Sequence, residues 1–322
     1  MSFAEKLIVW QRRHGRRGLP WQGTRDPYRI WLSEVMLQQT QVAAVIPYYE
    51  RFLEKYPTVD ALAAASEDQV LRLWAGLGYY ARGRNLHKAA IQVARDGFPR
   101  SAEKIAELPG VGRSTAAAIA AFAFGERAAI LDGNVKRVLA RRFGTEEDLW
   151  TLAERLLPDK DIETYTQALM DLGATVCTRR PACSACPLKS SCIARRTGRT
   201  AELPAPRPKK VLPLRTTRWF VYLDRGKVLL ERRPSPGVWG GLWCFPERAL
   251  AKAATTRKLE PFEHGFTHFR LRIEPLLIVA APKNGGLWLD LADARAAAIP
   301  TPVKKLLQDL PQIATARGGG RR

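Results

Sequence analysis

A chain of 322 residues is long enough for about two domains, each able to bury its own core. Its 52 lysines and arginines against 31 acidic residues leave a formal charge of +21 and a pI near 10.2, which points to a polyanionic partner, nucleic acid first. No apolar run reaches the ~18 residues of a membrane span, and Met1-Ser2-Phe3-Ala4-Glu5-Lys6 lacks the layout of a secretory leader, so a cytosolic protein with no membrane partner is expected.

Residues 1 to about 195 read as helical. Asp26-Pro27 is a helix start, an N-cap followed by proline at the first helical position, and Trp31, Val35, Val42 and Ile46 mark an apolar face. Glu34 stands among these apolar neighbours, where desolvation would raise its pKa toward that of a proton donor near neutrality. A solvated helix glutamate is the other reading of that position. Alanine-rich segments at 61–65 and 116–123 and the periodic Val135, Val138 and Leu139 continue the helical pattern.

The turn Leu108-Pro109-Gly110-Val111-Gly112 separates a helix ending at Ile105-Ala106-Glu107 from one beginning near Arg113. Gly110 and Gly112 permit close backbone approach, and the amides from Arg113 onward would point outward with a helix dipole behind them. That is a helix-hairpin-helix, suited to gripping a phosphate backbone without reading sequence. An ordinary Pro-Gly connection has the same local signature. Beyond it the loop Leu131-Asp132-Gly133-Asn134 carries a single carboxylate.

Four of the five cysteines lie within sixteen residues: Cys177, Cys183, Cys186 and Cys192 follow C-x5-C-x2-C-x5-C. Four thiolates so close can surround one metal centre, and spacing leaves zinc and a [4Fe-4S] cluster both open. Arg179, Arg180, Lys189, Arg195 and Arg196 surround them, so the loop is expected to present a rigid basic surface to phosphate, with structural rather than redox chemistry. Cys244, between Trp243 and Phe245, reads as a buried apolar side chain.

Between 196 and 215 basic residues alternate with Pro204, Pro206, Pro208 and Pro213, a semi-extended linker. The pattern then becomes mixed, with strands expected at Trp219–Leu223, Lys227–Glu231 and Arg270–Ala280 and a late helix from Thr301 to Leu310. The tail 311–322, ending in Arg317-Gly-Gly-Gly-Arg321-Arg322, is expected to be disordered. The expected division is thus a helical region at 1–195, a linker at 196–215 and an α+β domain at 216–310.

The hairpin followed by Asp132 resembles the helix-hairpin-helix (Gly-Pro-Asp) superfamily of DNA glycosylases. Within it, Leu19-Pro20-Trp21, the segment Trp31 to Val42, Gly76-Leu77-Gly78-Tyr79-Tyr80-Ala81-Arg82 and Ile130 to Leu139 resemble the MutY-type adenine DNA glycosylases. The resemblance implies that Glu34 protonates adenine at N7 and that Asp132 stabilises the sugar cation, both of which suit a neutral base that leaves poorly. It maps Leu19, Trp21 and Gln167 onto the adenine pocket and Gln39, Thr40, Leu77 and Tyr79 onto residues that wedge into the duplex when the base is flipped. Core packing for Tyr79 and an exposed helix face for Gln39 are the plainer alternatives. Gly110, Gly112, Arg113 and Lys136 fall on the DNA backbone side. Members that also cut the strand carry a lysine nucleophile where this chain has Ser114, and a serine hydroxyl cannot form a Schiff base, so simple hydrolysis is expected. The same relatives end their catalytic domain in a similar four-cysteine loop with one more residue between the first two ligands, which favours iron over zinc.

Residues 216 to 310 resemble the Nudix-like domain of those glycosylases, most visibly from Ser235 to Pro246. No R-E-x-x-E-E cluster for magnesium follows, so the domain is expected to bind an oxidised purine without hydrolysing it. Phe266-Thr267-His268 matches the Phe-Ser-His motif that contacts 8-oxoguanine in the family, with threonine retaining the hydroxyl. The expectation is a bacterial-type, monomeric adenine DNA glycosylase acting on double-stranded DNA with adenine opposite 8-oxoguanine or guanine. An endonuclease III-like glycosylase/lyase, a thymine mismatch glycosylase and a non-enzymatic lesion-binding protein are the rival readings.

Overall fold

The computed structural model describes residues 1–206, 211–250, 256–279, 282 and 285–315, with 311–315 described by backbone alone. The chain divides into two compact units, residues 1–64 with 85–208, and residues 65–84 with 209–322. Of the tail expected to be disordered, residues 311–315 instead continue a helix from Thr301, and the rest, from residue 316, lies outside the described residues.

Helices α1 (Phe3–His14), α2 (Pro27–Leu37), α3 (Val42–Lys55) and α4 (Val59–Ala63) open the first unit. Helix α5 (Glu67–Trp74) belongs to the second, and α6 (Ala81–Asp96) passes from one to the other. The first unit continues through α7 (Ala102–Ile105), α8 (Arg113–Phe124), α9 (Gly133–Phe143), α10 (Leu149–Arg155), α11 (Ile162–Asp171) and α12 (Ile193–Arg196). Helix α2 starts as expected: Asp26 accepts hydrogen bonds from the amides of Tyr28 and Arg29, with Pro27 at the first turn. The alanines of α8 from Ala116 to Ala121 are buried, and small side chains there let neighbouring helices approach closely. One core gathers Leu7, Ala117, Ala121, Val135, Leu139, Tyr165 and Leu169.

The second unit is a mixed sheet of β1 (Leu214–Asp224), β2 (Lys227–Arg232), β3 (Trp243–Cys244), β4 (Thr256–Lys258), β5 (Phe262–Gly265), β6 (Arg270–Ile278) and β7 (Leu287–Asp290), completed by α13 (Leu291–Ala296) and α14 (Thr301–Thr315). β1 and β6 run parallel in register from Leu214↔Arg270 to Tyr222↔Ile278. β1 and β2 form a hairpin whose turn places Arg225 and Gly226 at positive φ, the twist a two-residue turn needs. The start of β1 at Leu214 takes the end of the expected linker into the sheet.

The membership of α5 in this unit was not legible from composition. Leu71 on α5 is fully buried in the sheet core with Trp219, Val221, Leu242 and Phe245. Asp68 accepts a 2.8 Å hydrogen bond from the Trp243 indole, Glu67 pairs with Arg232 at 3.2 Å, and the Tyr80 hydroxyl donates to the Ile299 carbonyl at 3.4 Å. The segment carrying Leu77 and Tyr79 is therefore fastened to the same body as the 266–269 turn.

Candidate active site

Glu34 lies on α2 with Trp31, Leu32, Ser33, Val35 and Met36 buried around it. Its half-buried side chain lines a cavity of about 440 Å³ together with Leu19, Trp21, Leu37 and Gln167. Arg16, Arg17, Gln22 and Arg25 line the same cavity. Burial pushes the Glu34 carboxyl up to about 7; the negative charge of Asp132 adds to the effect and Arg16 opposes it. A carboxylic acid that keeps its proton at neutral pH can deliver it to a base held in the cavity.

Asp132 supplies that neighbouring charge from the cap of α9. Its Oδ1 accepts hydrogen bonds from the amides of Asn134 (3.0 Å) and Val135 (2.8 Å), and Oδ2 is 3.4 Å from the Asn134 side-chain amide. The same donors that end the helix fix the carboxylate in one orientation. The loop before it is tied as well, since the Leu131 amide donates to Ser114 Oγ at 3.0 Å. Position 114 thus carries a hydroxyl that holds the approach to Asp132, and no amine.

The cavity wall is ordered by residues that the sequence did not single out. Trp21 is buried edge-on to Tyr49, with centroids 5.4 Å apart. Gln22 accepts from the Leu19 amide at 3.2 Å and donates to the Arg16 carbonyl at 3.1 Å. Asp171, fully buried, binds both Arg16 and Gln167. Arg16 and Arg17 carry no signal of their own in the sequence; the spacing of Gln167 and Asp171, one helical turn apart, was the available signal.

Gly110 has φ +79° and Gly112 caps α8 without a side-chain hydrogen bond, so the first amides of α8 remain directed away from any capping side chain. Arg113, expected at the DNA backbone, stacks over Trp150 at 3.9 Å and pairs with Glu154. Lys136 lies one turn past Asp132 and pairs with Glu146 at 3.6 Å. Gln39 is exposed at φ +56°, with Thr40 beside it donating to the Gln38 carbonyl. A Cβ at Gly110 would sit 2.8 Å from Asn85 Cβ in addition to the strain of positive φ. Gly110→Ala is expected to cost about 1–2 kcal/mol in the turn alone and to weaken binding to any duplex equally, measured by melting and fluorescence anisotropy; unchanged affinity would show that the turn is not the grip.

In the second unit Tyr79 projects outward, 48% exposed at φ +49°, whereas Leu77 is buried at 7%. Arg82 lies over the Tyr79 and Trp74 rings and donates to the Gly78 carbonyl, as does the Trp74 indole. The turn 266–269 is closed by the Phe266 amide donating to the Phe269 carbonyl, and the two rings stack at 4.5 Å. Thr267 and His268 are left exposed at its tip, while Trp239 and His264 pack against Phe266.

Cys177, Cys183, Cys186 and Cys192 line one narrow cavity with Arg141, Lys189 and Arg195. All four are free thiols. Buried Arg141 donates to Cys177 Sγ (3.5 Å) and to the carbonyls of Thr178 and Leu203, while Arg137 donates to the Cys177 and Gly173 carbonyls. Among the described residues no three His, Cys, Asp or Glu side chains converge closely enough for a single metal ion.

Comparison with known proteins places these features in a family. Residues 32–158 match the HhH-GPD superfamily of base excision DNA repair proteins, and residues 218–309 match the NUDIX domain. The adenine DNA glycosylase of Buchnera aphidicola subsp. Baizongia pistaciae is 36% identical over 98% of both chains. That of Homo sapiens is 34% identical over 95% of this chain and 73% of its own. A solved thermostable thymine-DNA glycosylase superposes with TM-score 0.57 and 32% identity, covering 61% of this chain and 95% of that one. The chain is a DNA glycosylase and belongs to the adenine DNA glycosylase family.

Proposed function

We propose that this chain hydrolyses the N-glycosidic bond of adenine mispaired with 8-oxoguanine, and with guanine less well, leaving an abasic site in double-stranded DNA. The observation that carries the reading is the cavity lined by Glu34, which is held as an acid near neutrality by burial and by the charge of the nearby, capped carboxylate of Asp132. Adenine flipped into the cavity takes a proton at N7 from Glu34, which turns a poor leaving group into a good one. The sugar cation that forms as the bond breaks is stabilised by Asp132, and water completes the hydrolysis. Leu19 and Trp21 supply apolar walls for the base. Gln39, Thr40 and Tyr79 fill the duplex beside the opposite base, and Phe266, Thr267 and His268 read that base. The normal base is the substrate, so specificity has to come from its partner. A monomer with one unit for each side of the mispair suffices.

Ser114 supports a monofunctional reaction, because its hydroxyl offers no route to a Schiff base. The expected result is strand breakage of an adenine:8-oxoguanine duplex only after alkali. Breakage without alkali would overturn the monofunctional assignment. The thymine-glycosylase alternative leaves the residues beyond its 61% coverage without a role.

The four cysteines fit a [4Fe-4S] cluster better than zinc. Four free thiols share one narrow cavity with Arg141, Lys189 and Arg195, and their spacing resembles the four-cysteine loop that ends the catalytic domain of related glycosylases. Such a cluster would supply a rigid cross-link for the loop that carries Arg179, Arg180, Lys189, Arg195 and Arg196. Anaerobically purified protein is expected to absorb near ~400 nm, and Cys186→Ser to lose that band together with much of the duplex affinity. A colourless, zinc-loaded protein would contradict the cluster.

A further inference from the structure

We infer that Asp171 sets which purine the cavity accepts, by fixing the Gln167 amide so that an acceptor faces the edge of the base. The inference rests on the cavity being an adenine site. Asp171 is 0% exposed. Its Oδ1 accepts from Arg16 Nε at 2.7 Å and from Gln167 Nε2 at 2.9 Å, and its Oδ2 accepts from the Arg16 backbone amide at 2.9 Å. A carboxylate paired with a guanidinium only accepts hydrogen bonds, so the Gln167 amide has one workable orientation, nitrogen toward Asp171. Gln167 Oε1 accepts no hydrogen bond among the described residues and belongs to a side chain lining the cavity with Glu34.

The consequence is a donor and an acceptor offered to one cavity. On adenine, ring nitrogen N7 needs a proton and the adjacent N6 amino group donates one. Glu34 as donor and Gln167 Oε1 as acceptor are complementary to that pair. Guanine and hypoxanthine carry the same N7 but an oxygen at position 6, which would face Gln167 Oε1 with two acceptors and no hydrogen between them. Asp171 is a positioning residue acting through Gln167, itself held in place by Arg16. In Asp171→Asn the new amide can either donate or accept, so the Gln167 amide is free to turn over and present its nitrogen to the cavity.

The test is single-turnover base release from duplexes with adenine or hypoxanthine opposite 8-oxoguanine. Wild-type protein is expected to favour adenine on the order of 10²-fold or more, as a site built around a hydrogen bond does. Asp171→Asn is expected to slow adenine release and to shrink the adenine-to-hypoxanthine ratio about tenfold or more. Gln167→Ala, which leaves the buried Asp171–Arg16 pair in place, is expected to shrink the ratio as well and serves if Asp171→Asn does not fold. Adding Asp171→Asn to Gln167→Ala should then change the ratio no further. A merely structural Asp171 would slow both substrates equally; a ratio within about twofold of wild type in Asp171→Asn or in Gln167→Ala overturns the inference alone. A wild-type protein that releases no adenine overturns the adenine reading itself, and this inference with it.

Discussion

Glu34→Gln is expected to lower single-turnover adenine release by about 10²- to 10⁴-fold, the usual contribution of a positioned general acid. The amide keeps the shape and polarity of the side chain but has no transferable proton. Wild-type release should be level below pH ~7 and fall about tenfold per pH unit above it, because only the protonated form acts and its carboxyl is pushed up to about 7. The same substitution should stabilise the fold. A carboxyl raised from 4.5 to about 7 binds its proton more tightly in the folded chain than in the unfolded one, so stability declines as pH rises through that window and the full deficit is present above it. At pH 8 the deficit is at most about 3 kcal/mol, reduced because water reaches part of the side chain. Glu34→Gln removes it, and the variant should melt higher than wild type at pH 8 and no higher at pH 4. Equal melting at both values would show that Glu34 is a solvated helix residue after all.

Asp132→Asn is expected to lower release by about 10²- to 10³-fold through loss of the charge that faces the sugar cation. Asparagine is as good an N-cap as aspartate, so α9 should keep its start and the melting temperature should change little. The distinguishing readout is the pH profile. Asp132 raises the Glu34 carboxyl, and removing its charge should move the alkaline limb of the residual activity to lower pH. A limb that stays in place while activity falls would mean that the two carboxyls do not interact.

The parts of this site that were legible in the sequence are those whose signals are local. Asp26-Pro27 and Asp132 are helix caps, written into the chain by residue types that favour an extended residue followed by free amides. Gly110 marks a positive φ that other residues resist. The four cysteines declare themselves by spacing, strands β1 and β2 by short apolar runs, and β6 by apolar alternation. What was not legible depends on partners distant in sequence. Asp171 acquires its role only when Arg16, 155 positions earlier, folds onto it. Helix α5 has the pattern of any amphipathic helix, and only Leu71 meeting Trp219 and Phe245 assigns it to the sheet unit. Short strands such as β3 and β7 exist through pairing with β2 rather than through their own composition. Arg137 and Arg141 carry no signal of their own in the sequence, yet they point their guanidinium groups into the cysteine loop.

The measurement closest to the central claim is single-turnover base release from three duplexes that differ only opposite the target adenine: 8-oxoguanine, guanine and thymine. The expected result is release that is fastest opposite 8-oxoguanine, slower opposite guanine and undetectable opposite thymine, with Glu34→Gln slower by about 10²- to 10⁴-fold wherever wild type is active. Equal release opposite thymine, or no adenine release from any duplex by a protein active on thymine opposite guanine, would contradict it.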